Sequence, residues 1–378
     1  MMTKRVALFT ASGLDVINTP MINSAEYLAS LGYAVDIFAR SPYDGWKAPE
    51  FQNESVRYHI TEILPGTFRS RFGKINLLIN VLRIMRQNTY DFVIGFDPRA
   101  FQLAYVIAKI FRIPAVYHSL EFYKEITIKQ QVYGAFQNFF VRHSDWMITQ
   151  DAMRADWLSN KYRFPREKIS VVYNSSLGDC MPNKSKYLRN KFDIPDEKIV
   201  VLAVGSLIKP HMISEITESV SRWNSEFVLV IHGWFSQPEY ETRILGLAEQ
   251  HPGRIFISTD FLPLNRKYEV FQSADIGLVT FTPDNDNNQF VGAAAGKLFE
   301  FTRCGVPVVV NELAGMREFV GRRCGEICGP WLDSIETALE TVQNNYATYS
   351  NNCTQFYEKY SFSTTYHDFL KMFCLKGG

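Results

Sequence analysis

The chain has 378 residues with 40 basic and 39 acidic side chains, which give a formal net charge of +1. This length predicts two domains, and the balanced charge excludes a protein that attracts nucleic acid or an anionic membrane through its overall field. Apolar residues form 46% of the chain, which is typical of a globular protein and excludes a disordered one. No apolar run reaches the roughly 18 residues of a membrane-spanning helix.

The first half of the chain alternates short apolar runs, which predict strands, with longer segments of helical periodicity. The opening run VALFTA is interpreted as the first strand because turn residues follow it without the cleavage site of a signal peptide. Prolines after Thr19 and Asp97 predict two helix starts. The strand runs are RVALFT, AVDIFAR, DFVIGF, PAVYH and ISVVYN.

The same alternation restarts in the second half with the runs IVVLAVG, FVLVIHG, RIFIS, ADIGLVTF and VPVVV. Strands separated by helices of ten or more residues predict parallel sheets covered on both faces. We therefore expect two Rossmann-like, doubly wound α/β domains facing each other across a cleft, with sites at the carboxyl ends of strands. The predicted boundaries are 1–175 for the first domain, 176–196 for a linker, 197–360 for the second domain and 361–378 for a terminal helix.

The stretch GKLFEF, which begins at Gly296, follows a run of small residues that would let a ligand approach the backbone. A helix starting near Gly296 would direct its free N–H groups and its positive dipole end at a phosphate. Lys297 has the wrong sign for the first turn of a helix unless an anion lies nearby. Glu300 lies on the same helical face, one turn further on.

This spacing has two interpretations. A lysine beside phosphates and a carboxylate on ribose hydroxyls would bind a nucleoside diphosphate. Alternatively, Lys297, Glu300 and Arg303 form ordinary ion pairs three residues apart on a solvated helix face.

A resemblance to a known family favours the first interpretation. The runs QSADIGLVTF, AAAGKLFEFTRCGVPVVV and ELAGMREFV resemble the carboxyl-terminal domain of GT-B glycosyltransferases, in particular the retaining family 4 and its relatives in bacterial polysaccharide synthesis. The likeness is dense from 197 to 330 and looser elsewhere, through IVVLAVGSLIKP, ITQDAMRADWL and ISVVYNS. It implies an acceptor-binding first domain, a donor-binding second domain and a terminal helix that crosses back to the first.

The resemblance also implies residue roles. Glu300 would bind the nucleotide ribose, and Lys297 would lie at the helix start beside the diphosphate. We predict that Lys209, in the loop after the first strand of the second domain, also binds the diphosphate, with a solvated loop lysine as the alternative. Gly205 and Gly296 complete the predicted donor site.

Three positions depart from the family pattern. Gly292 stands where the family often has a second glutamate for the donor sugar, and Ser206 stands where it has an arginine for the diphosphate. In the first domain Leu120 occupies the position of a family histidine. Its neighbours His118 and Glu121 are the predicted catalytic residues, with capping or core roles as the alternative.

The implied activity is a cytoplasmic glycosyltransferase that moves a sugar from a nucleoside diphosphate, with a UDP-sugar as the expected donor, to a glycan or lipid-linked acceptor in surface polysaccharide synthesis. The same likeness implies retention of configuration and no metal or other cofactor, so the Asp-x-Asp of PDNDNN is interpreted as turn chemistry. Two alternatives stay open: a sugar-nucleotide epimerase of the same fold, and a non-catalytic protein that binds nucleotide or glycan.

The segment 68–86 is amphipathic, and its basic residues are Arg69, Arg71, Lys74, Arg83 and Arg86. We predict that it contacts an anionic membrane, which would suit a lipid-linked acceptor. The alternative is a domain-covering helix with its basic face in water. No nucleic-acid partner is expected, and the six scattered cysteines predict neither a disulfide nor a zinc site.

Overall fold

The structure, a computed structural model, describes residues 4–11, 18–41, 51, 53–61, 69–121, 128–263, 266–284, 286–320 and 323–376. Within these ranges, the side chains at 69–74, 128–133, 286–287, 318–319 and 376 are not described. The chain divides into one unit formed by Met1–Tyr173 with Phe362–Gly378 and a second unit formed by Asn174–Ser361. No helix in the described ranges is both long and apolar enough to cross a membrane.

The strands are β1 (Arg5–Phe9), β2 (Ala34–Arg40), β3 (Val56–Thr61), β4 (Phe92–Phe96), β5 (Ala115–His118), β6 (Trp146–Thr149), β7 (Ile169–Val171), β8 (Ile199–Leu207), β9 (Phe227–Phe235), β10 (Ile255–Ser258), β11 (Ile276–Val279), β12 (Val308–Asn311) and β13 (Gly325–Cys328). The helices are α1 (Thr19–Ser30), α2 (Arg69–Met85), α3 (Asp97–Phe111), α4 (Ile128–Arg142), α5 (Ala152–Tyr162), α6 (Tyr187–Phe192), α7 (Ile213–Ser219), α8 (Pro238–Glu249), α9 (Lys267–Gln272), α10 (Asp286–Gln289), α11 (Gly296–Arg303), α12 (Ala314–Phe319), α13 (Ile335–Asn344), α14 (Tyr346–Lys359) and α15 (Phe362–Lys376).

The first unit is built on a parallel sheet of order β3-β2-β1-β4-β5-β6-β7. Helices α2, α3, α4 and α5 share one buried core with alternate strand residues such as Phe9 and Val93. Phe92, which points to the opposite face from its neighbour Val93, packs on Phe373 of α15 with ring centroids 5.1 Å apart. Helix α15 also contacts α1 through Tyr366 and Tyr27, so the sheet is covered on both faces.

The second unit has a parallel sheet of order β10-β9-β8-β11-β12-β13. Its strand order reverses between β8 and β11, and ligands of such sheets bind beyond the carboxyl ends of the strands at this switch point. The register pairs Leu202 of β8 with Gly277 of β11. The loop after β8 and the segment after β11 therefore meet at one edge.

The predicted fold class is confirmed, since both units are doubly wound α/β domains. Strands β3, β6 and β13 were not among the predicted strand runs, and α2 covers most of the amphipathic segment 68–86. Residues 176–196, predicted as a linker, contain α6 and are grouped with the second unit, whereas α15 is grouped with the first. All six cysteines are free thiols.

Candidate functional site

The backbone of the segment that precedes α11 is closely packed. A short 3-10 turn at Gly292–Ala294 leads into the helix, which begins at Gly296 as the sequence predicts. Gly292 is buried, and a Cβ built there would lie 2.8 Å from the carbonyl oxygen of Gly315. This backbone has no room for the glutamate that the family often carries at position 292.

Lys297, in the first turn of α11, has no carboxylate partner among the side chains that the structure describes. It is partly buried, and its Nζ lies 5.0 Å from the ring centroid of Phe281. No ion pair or hydrogen bond of Nζ occurs within the part of the chain that the structure describes. Burial lowers the pKa of Lys297 to about 8, because desolvation disfavours the charged form. An anion at this position would offset that cost.

The loop after β8 contributes a residue that the sequence did not predict. Nδ1 of His211 lies 2.6 Å from the carbonyl oxygen of Ser206, and its ring packs edge-on against Phe281 with centroids 5.2 Å apart. Burial, with the nearby charge of Lys297, lowers the pKa of His211 to about 4. His211 is therefore neutral at pH 7, and it shares Phe281 with Lys297. The sequence offered one indication of this role, since His211 lies in the loop that follows the carboxyl end of a predicted strand.

The other predicted residues of this loop differ in their surroundings. Gly205 has a φ of 111°, and a Cβ built there would meet nothing within 4 Å. The backbone at Gly205 is thus open to an approaching group, in a conformation that favours glycine. Lys209 is exposed, which fits either of its two predicted roles.

Glu300 is largely shielded from solvent. Its side chain is 12% exposed. Its Oε1 accepts hydrogen bonds from Ser176 at 2.6 Å and from Lys267 of α9 at 2.8 Å. Its Oε2 is buried and has no hydrogen-bond partner among the described residues. A buried acceptor without a partner is costly, so Oε2 is free for a donor such as a hydroxyl group.

Arg303 is also buried and does not pair with Glu300. Its Nε donates to the carbonyl oxygen of Asp179 at 2.8 Å, and its guanidinium stacks on Tyr268 at 4.5 Å. Arg303 therefore links α11 to the segment around residue 179 through a hydrogen bond. The row of solvated ion pairs that was the alternative interpretation does not form on this helix.

The segment that follows β7 also reaches the start of α11. Nδ2 of Asn174 donates to the carbonyl oxygen of Ala294 at 2.9 Å, while its Oδ1 is buried with no partner in the described ranges. Asn174 thus contacts the turn before α11, and Ser176 contacts Glu300 within the helix. Neither residue was predicted, although Asn174 lies in the run ISVVYNS that contributed to the family resemblance and Ser176 directly follows that run.

In the first unit, His118 ends β5 and lies in the core. It is 1% exposed, its ring centroid is 4.8 Å from that of Phe96, and neither ring nitrogen has a hydrogen-bond partner among the residues described. Burial lowers the pKa of His118 to about 3, so the ring is neutral. These surroundings resemble a packing position more than an acid-base group.

Glu121 lies at the surface, where the backbone is held by polar side chains. The backbone N–H groups of Leu120 and Glu121 donate to Oδ1 of Asp97 at 2.9 and 3.4 Å, and Arg154 donates to the carbonyl oxygen of Leu120 at 2.8 Å. Surrounding protein raises the pKa of Glu121, and the charge of Arg154 acts in the opposite direction. Asp97 and Arg154 thus hold the backbone at the predicted catalytic residue Glu121.

The described residues contain no group of three His, Cys, Asp or Glu side chains that could hold a metal ion. Asp284 of the Asp-x-Asp run accepts a hydrogen bond from Thr282 at 2.8 Å, as in a turn, and the side chain of Asp286 lies outside the described residues. In the segment 68–86, residue 68 and the side chains of Arg69, Arg71 and Lys74 are likewise not described.

Residues 18–175 match the family model described as Glycosyltransferase Family 4. All but the last two matched residues lie in the first unit, whereas the motifs around Lys297 and Glu300 lie in the second. No curated protein matches the chain.

Solved structures match nearly the whole chain. Sucrose-phosphate synthase from Thermosynechococcus elongatus aligns at 13% identity with a TM-score of 0.75 over 98% of this chain and 99% of that chain. HepE from Anabaena aligns at 15% with a TM-score of 0.70 over 98% and 99%, and WaaG at 14% with 0.66 over 99% and 100%. The chain therefore resembles glycosyltransferase family 4 in sequence over residues 18–175, and it has the two-domain GT-B fold of the solved glycosyltransferases.

Proposed function

We propose that the chain is a glycosyltransferase that uses a nucleoside diphosphate sugar as donor. The observation that carries the proposal is Lys297, a partly buried ammonium at the amino end of α11 with no carboxylate partner among the described residues. A diphosphate would satisfy this charge and the free N–H groups of the helix together. Preorganised charges of this kind stabilise a departing diphosphate as the glycosidic bond breaks.

The donor we propose is a UDP-sugar. In support, the structure of HepE contains UDP and glucose, and its fold matches that of this chain. In our proposal Gly205, Lys209 and Gly296 lie along the diphosphate, and Glu300 accepts a ribose hydroxyl through Oε2. Neutral His211 would lie beside the diphosphate with Lys297.

For the acceptor we propose a glycan or lipid-linked precursor of a surface polysaccharide. WaaG, which has a similar fold, is described as acting in lipopolysaccharide biosynthesis. We place the reaction in the cytoplasm because free thiols suit a reducing compartment. The family resemblance supports a retaining reaction without metal or another cofactor. We propose Glu121 as a catalytic carboxylate because it follows the carboxyl end of β5.

A non-catalytic binding protein is the second candidate, and Gly292 favours it. Close packing against Gly315 leaves no room for a side chain that could hold the donor sugar. Such a protein would bind the nucleotide and leave the sugar unreacted. The epimerase alternative has no comparable observation in its favour.

A thermal-shift panel of nucleotide sugars, followed by assays of transfer and hydrolysis, separates these functions. We expect stabilisation by a UDP-sugar and turnover with a suitable acceptor. Stabilisation without turnover would support the binding protein, and conversion of the sugar without acceptor would support an epimerase. A chain that no nucleotide stabilises would contradict the proposal.

A further inference from the structure

The hydrogen bond of His211 determines which ring nitrogen carries the hydrogen of the neutral imidazole. Nδ1 lies 2.6 Å from the carbonyl oxygen of Ser206, and a carbonyl oxygen can only accept a hydrogen bond. Nδ1 therefore carries the hydrogen, and Nε2 carries the lone pair. No hydrogen bond of Nε2 occurs among the residues that the structure describes. The free nitrogen of this ring is thus an acceptor and not a donor.

The position of His211 is fixed by the segment that follows β11. The hydroxyl group of Thr280 donates to the carbonyl oxygen of His211 at 2.9 Å, and the imidazole packs edge-on against Phe281. The same ring of Phe281 lies 5.0 Å from Nζ of Lys297. The imidazole and the ammonium therefore contact one aromatic ring, beyond the carboxyl ends of β8 and β11.

Lys297 is the charged group that acts on His211 within the described part of the chain. Burial and then the charge of Lys297 lower the pKa of His211 to about 4. No carboxylate among the described residues lies close enough to change the pKa of either group. Lys209, in the same loop, is exposed, and Thr280 and Phe281 do not ionise near neutral pH. Before a ligand binds at pH 7, the site thus combines one ammonium with a neutral imidazole.

We propose that His211 takes up a proton when the diphosphate of the nucleotide binds, and that the resulting imidazolium contacts the diphosphate. This inference rests on the donor chemistry proposed above. A phosphate oxygen and the neutral Nε2 are both acceptors, so they form no hydrogen bond until Nε2 gains a hydrogen. The proton comes from solvent, Nδ1 keeps its bond to Ser206, and the negative charge of the diphosphate favours the charged ring.

The imidazolium would also serve the reaction. The diphosphate gains negative charge as the glycosidic bond breaks, and a cation held beside it stabilises that charge. His211 would then be a catalytic residue that is charged only while the donor or its nucleotide product is bound. Between rounds of reaction, the buried site would hold only the charge of Lys297.

Proton uptake makes the nucleotide affinity depend on pH. The free protein holds His211 neutral above about pH 4, whereas the complex holds it charged up to the pKa that the diphosphate raises. The affinity therefore rises as the pH falls through this range, by up to about tenfold per pH unit. Lys297, with a pKa of about 8, adds the same dependence at higher pH. Measurements between pH 7.5 and 6.5 therefore report mainly on His211.

Isothermal titration calorimetry with UDP at pH 7, in buffers of different ionisation enthalpy, counts the protons. The wild-type protein should take up roughly 0.5 to 1 proton more per UDP than His211→Gln, since the ionisation of UDP itself contributes equally to both. His211→Gln should bind UDP about tenfold more weakly at pH 6.5, and this difference should shrink as the pH rises. His211→Lys is already charged at pH 7 and should restore the affinity without the extra proton.

The matched control is His143→Gln. Nδ1 of His143 also lies 2.6 Å from a backbone carbonyl oxygen, that of Phe139, but this side chain is exposed and belongs to the first unit. The control should keep the wild-type affinity and proton count. UDP binding with equal proton counts for the wild type and His211→Gln would overturn this inference and leave the proposed donor chemistry standing.

Two further outcomes are informative without any variant. A wild-type affinity for UDP that stays constant between pH 7.5 and 6.5 would also overturn the inference, even if His211→Gln does not fold. A wild-type protein that does not bind UDP would overturn both the inference and the proposed donor chemistry.

Discussion

Lys267 of α9 donates a 2.8 Å hydrogen bond to Oε1 of Glu300 on α11. The carboxylate that the sequence predicts for a nucleotide ribose is thus already held by a cation and by Ser176. Its second oxygen, Oε2, stays buried without a partner among the described residues. Glu300 is therefore fixed in one orientation before any ligand arrives, which is what preorganised recognition needs.

Removing the cation from this pair should destabilise the second unit. Lys267→Met leaves Glu300, 12% exposed, as a buried charge with one hydrogen bond fewer, at a cost of about 1–3 kcal/mol. Lys186→Met is the control, because its pair with Asp196 is 65% and 73% exposed and should contribute almost nothing. Urea unfolding measures both, and equal stability losses would show that burial of the Glu300 pair has no energetic consequence.

The lowered pKa of Lys297 predicts a specific pH dependence. A lysine with a folded-state pKa of about 8 and an ordinary value of 10.5 destabilises the fold fully below pH 8, and this penalty disappears as the pH rises toward 10.5. Without nucleotide, Lys297→Met should therefore stabilise the protein by ~1–3 kcal/mol at neutral pH, and by less as the pH approaches 10.5. Nucleotide affinity of this variant should fall.

The control for this prediction is Lys209→Met, which changes an exposed lysine and should leave stability nearly constant across the same pH range. Chemical unfolding curves at several pH values measure the effect. A stability difference for Lys297→Met that does not shrink at high pH would mean that the ammonium carries no desolvation penalty.

A second titration concerns the first unit, where Asp36 is 2% exposed. Burial acts to raise its pKa, but hydrogen bonds from His59, Tyr90 and Arg5 outweigh burial and lower it to about 2. The stability that this carboxylate contributes is present above its ordinary pKa of 3.8 and is lost as the pH falls toward 2. Asp36→Asn should cost about 3–5 kcal/mol at neutral pH, since it leaves Arg5 unpaired.

The cost of Asp36→Asn should shrink as the pH is lowered through the acid range, which urea unfolding at neutral pH and near the acid transition can measure. Asp196→Asn, at an exposed pair, is the matched control and should show almost no cost at either pH. A cost for Asp36→Asn that is constant with pH would exclude the titration of Asp36 as its source.

For the two predicted catalytic residues the structure leads to different expectations. Glu121→Gln should lower turnover by about a hundredfold with nucleotide affinity unchanged, the scale of a charge-stabilising group. His118→Leu should retain turnover within about threefold, because it replaces a buried ring with no hydrogen-bond partner among the described residues by a side chain suited to the core. Steady-state kinetics test both expectations. A hundredfold loss of turnover in His118→Leu would indicate that His118 takes part in catalysis.

The sequence predicted those elements whose signals are local. Strand β2 coincides with AVDIFAR, and α11 begins at Gly296, because apolar runs and small residues mark these boundaries. Strand β3 has the mixed run VRYHIT and β13 has the mixed run GEIC, so neither shows a clear apolar pattern. Local periodicity could not distinguish them from loops.

The candidate site was predictable only in part, for a different reason. Lys297 and Glu300 lie in one helix with a recognisable spacing, but their partners come from distant segments. Ser176 is 124 residues from Glu300, and Lys267 is 33 residues from it. The contacts of Lys297 and His211 with Phe281 also depend on how the sheet brings loops together.

The central claim is that Glu300 and the amino end of α11 bind a nucleoside diphosphate. Glu300→Ala should weaken UDP binding roughly 10- to 150-fold, because it removes hydrogen bonds to a charged acceptor worth about 1.5–3 kcal/mol. Glu336→Ala, which removes a carboxylate that is 31% exposed and lies 3.4 Å from Arg222, is the control and should bind UDP normally.

Calorimetric titration with UDP and with its 2′,3′-dideoxy analogue tests this claim most directly. We expect the analogue to bind the wild-type protein weakly and to be almost insensitive to Glu300→Ala, provided that circular dichroism shows the variant folded. An equal loss for both nucleotides would mean that Glu300 acts on something other than the ribose. Unchanged UDP affinity in a folded Glu300→Ala protein would contradict the account.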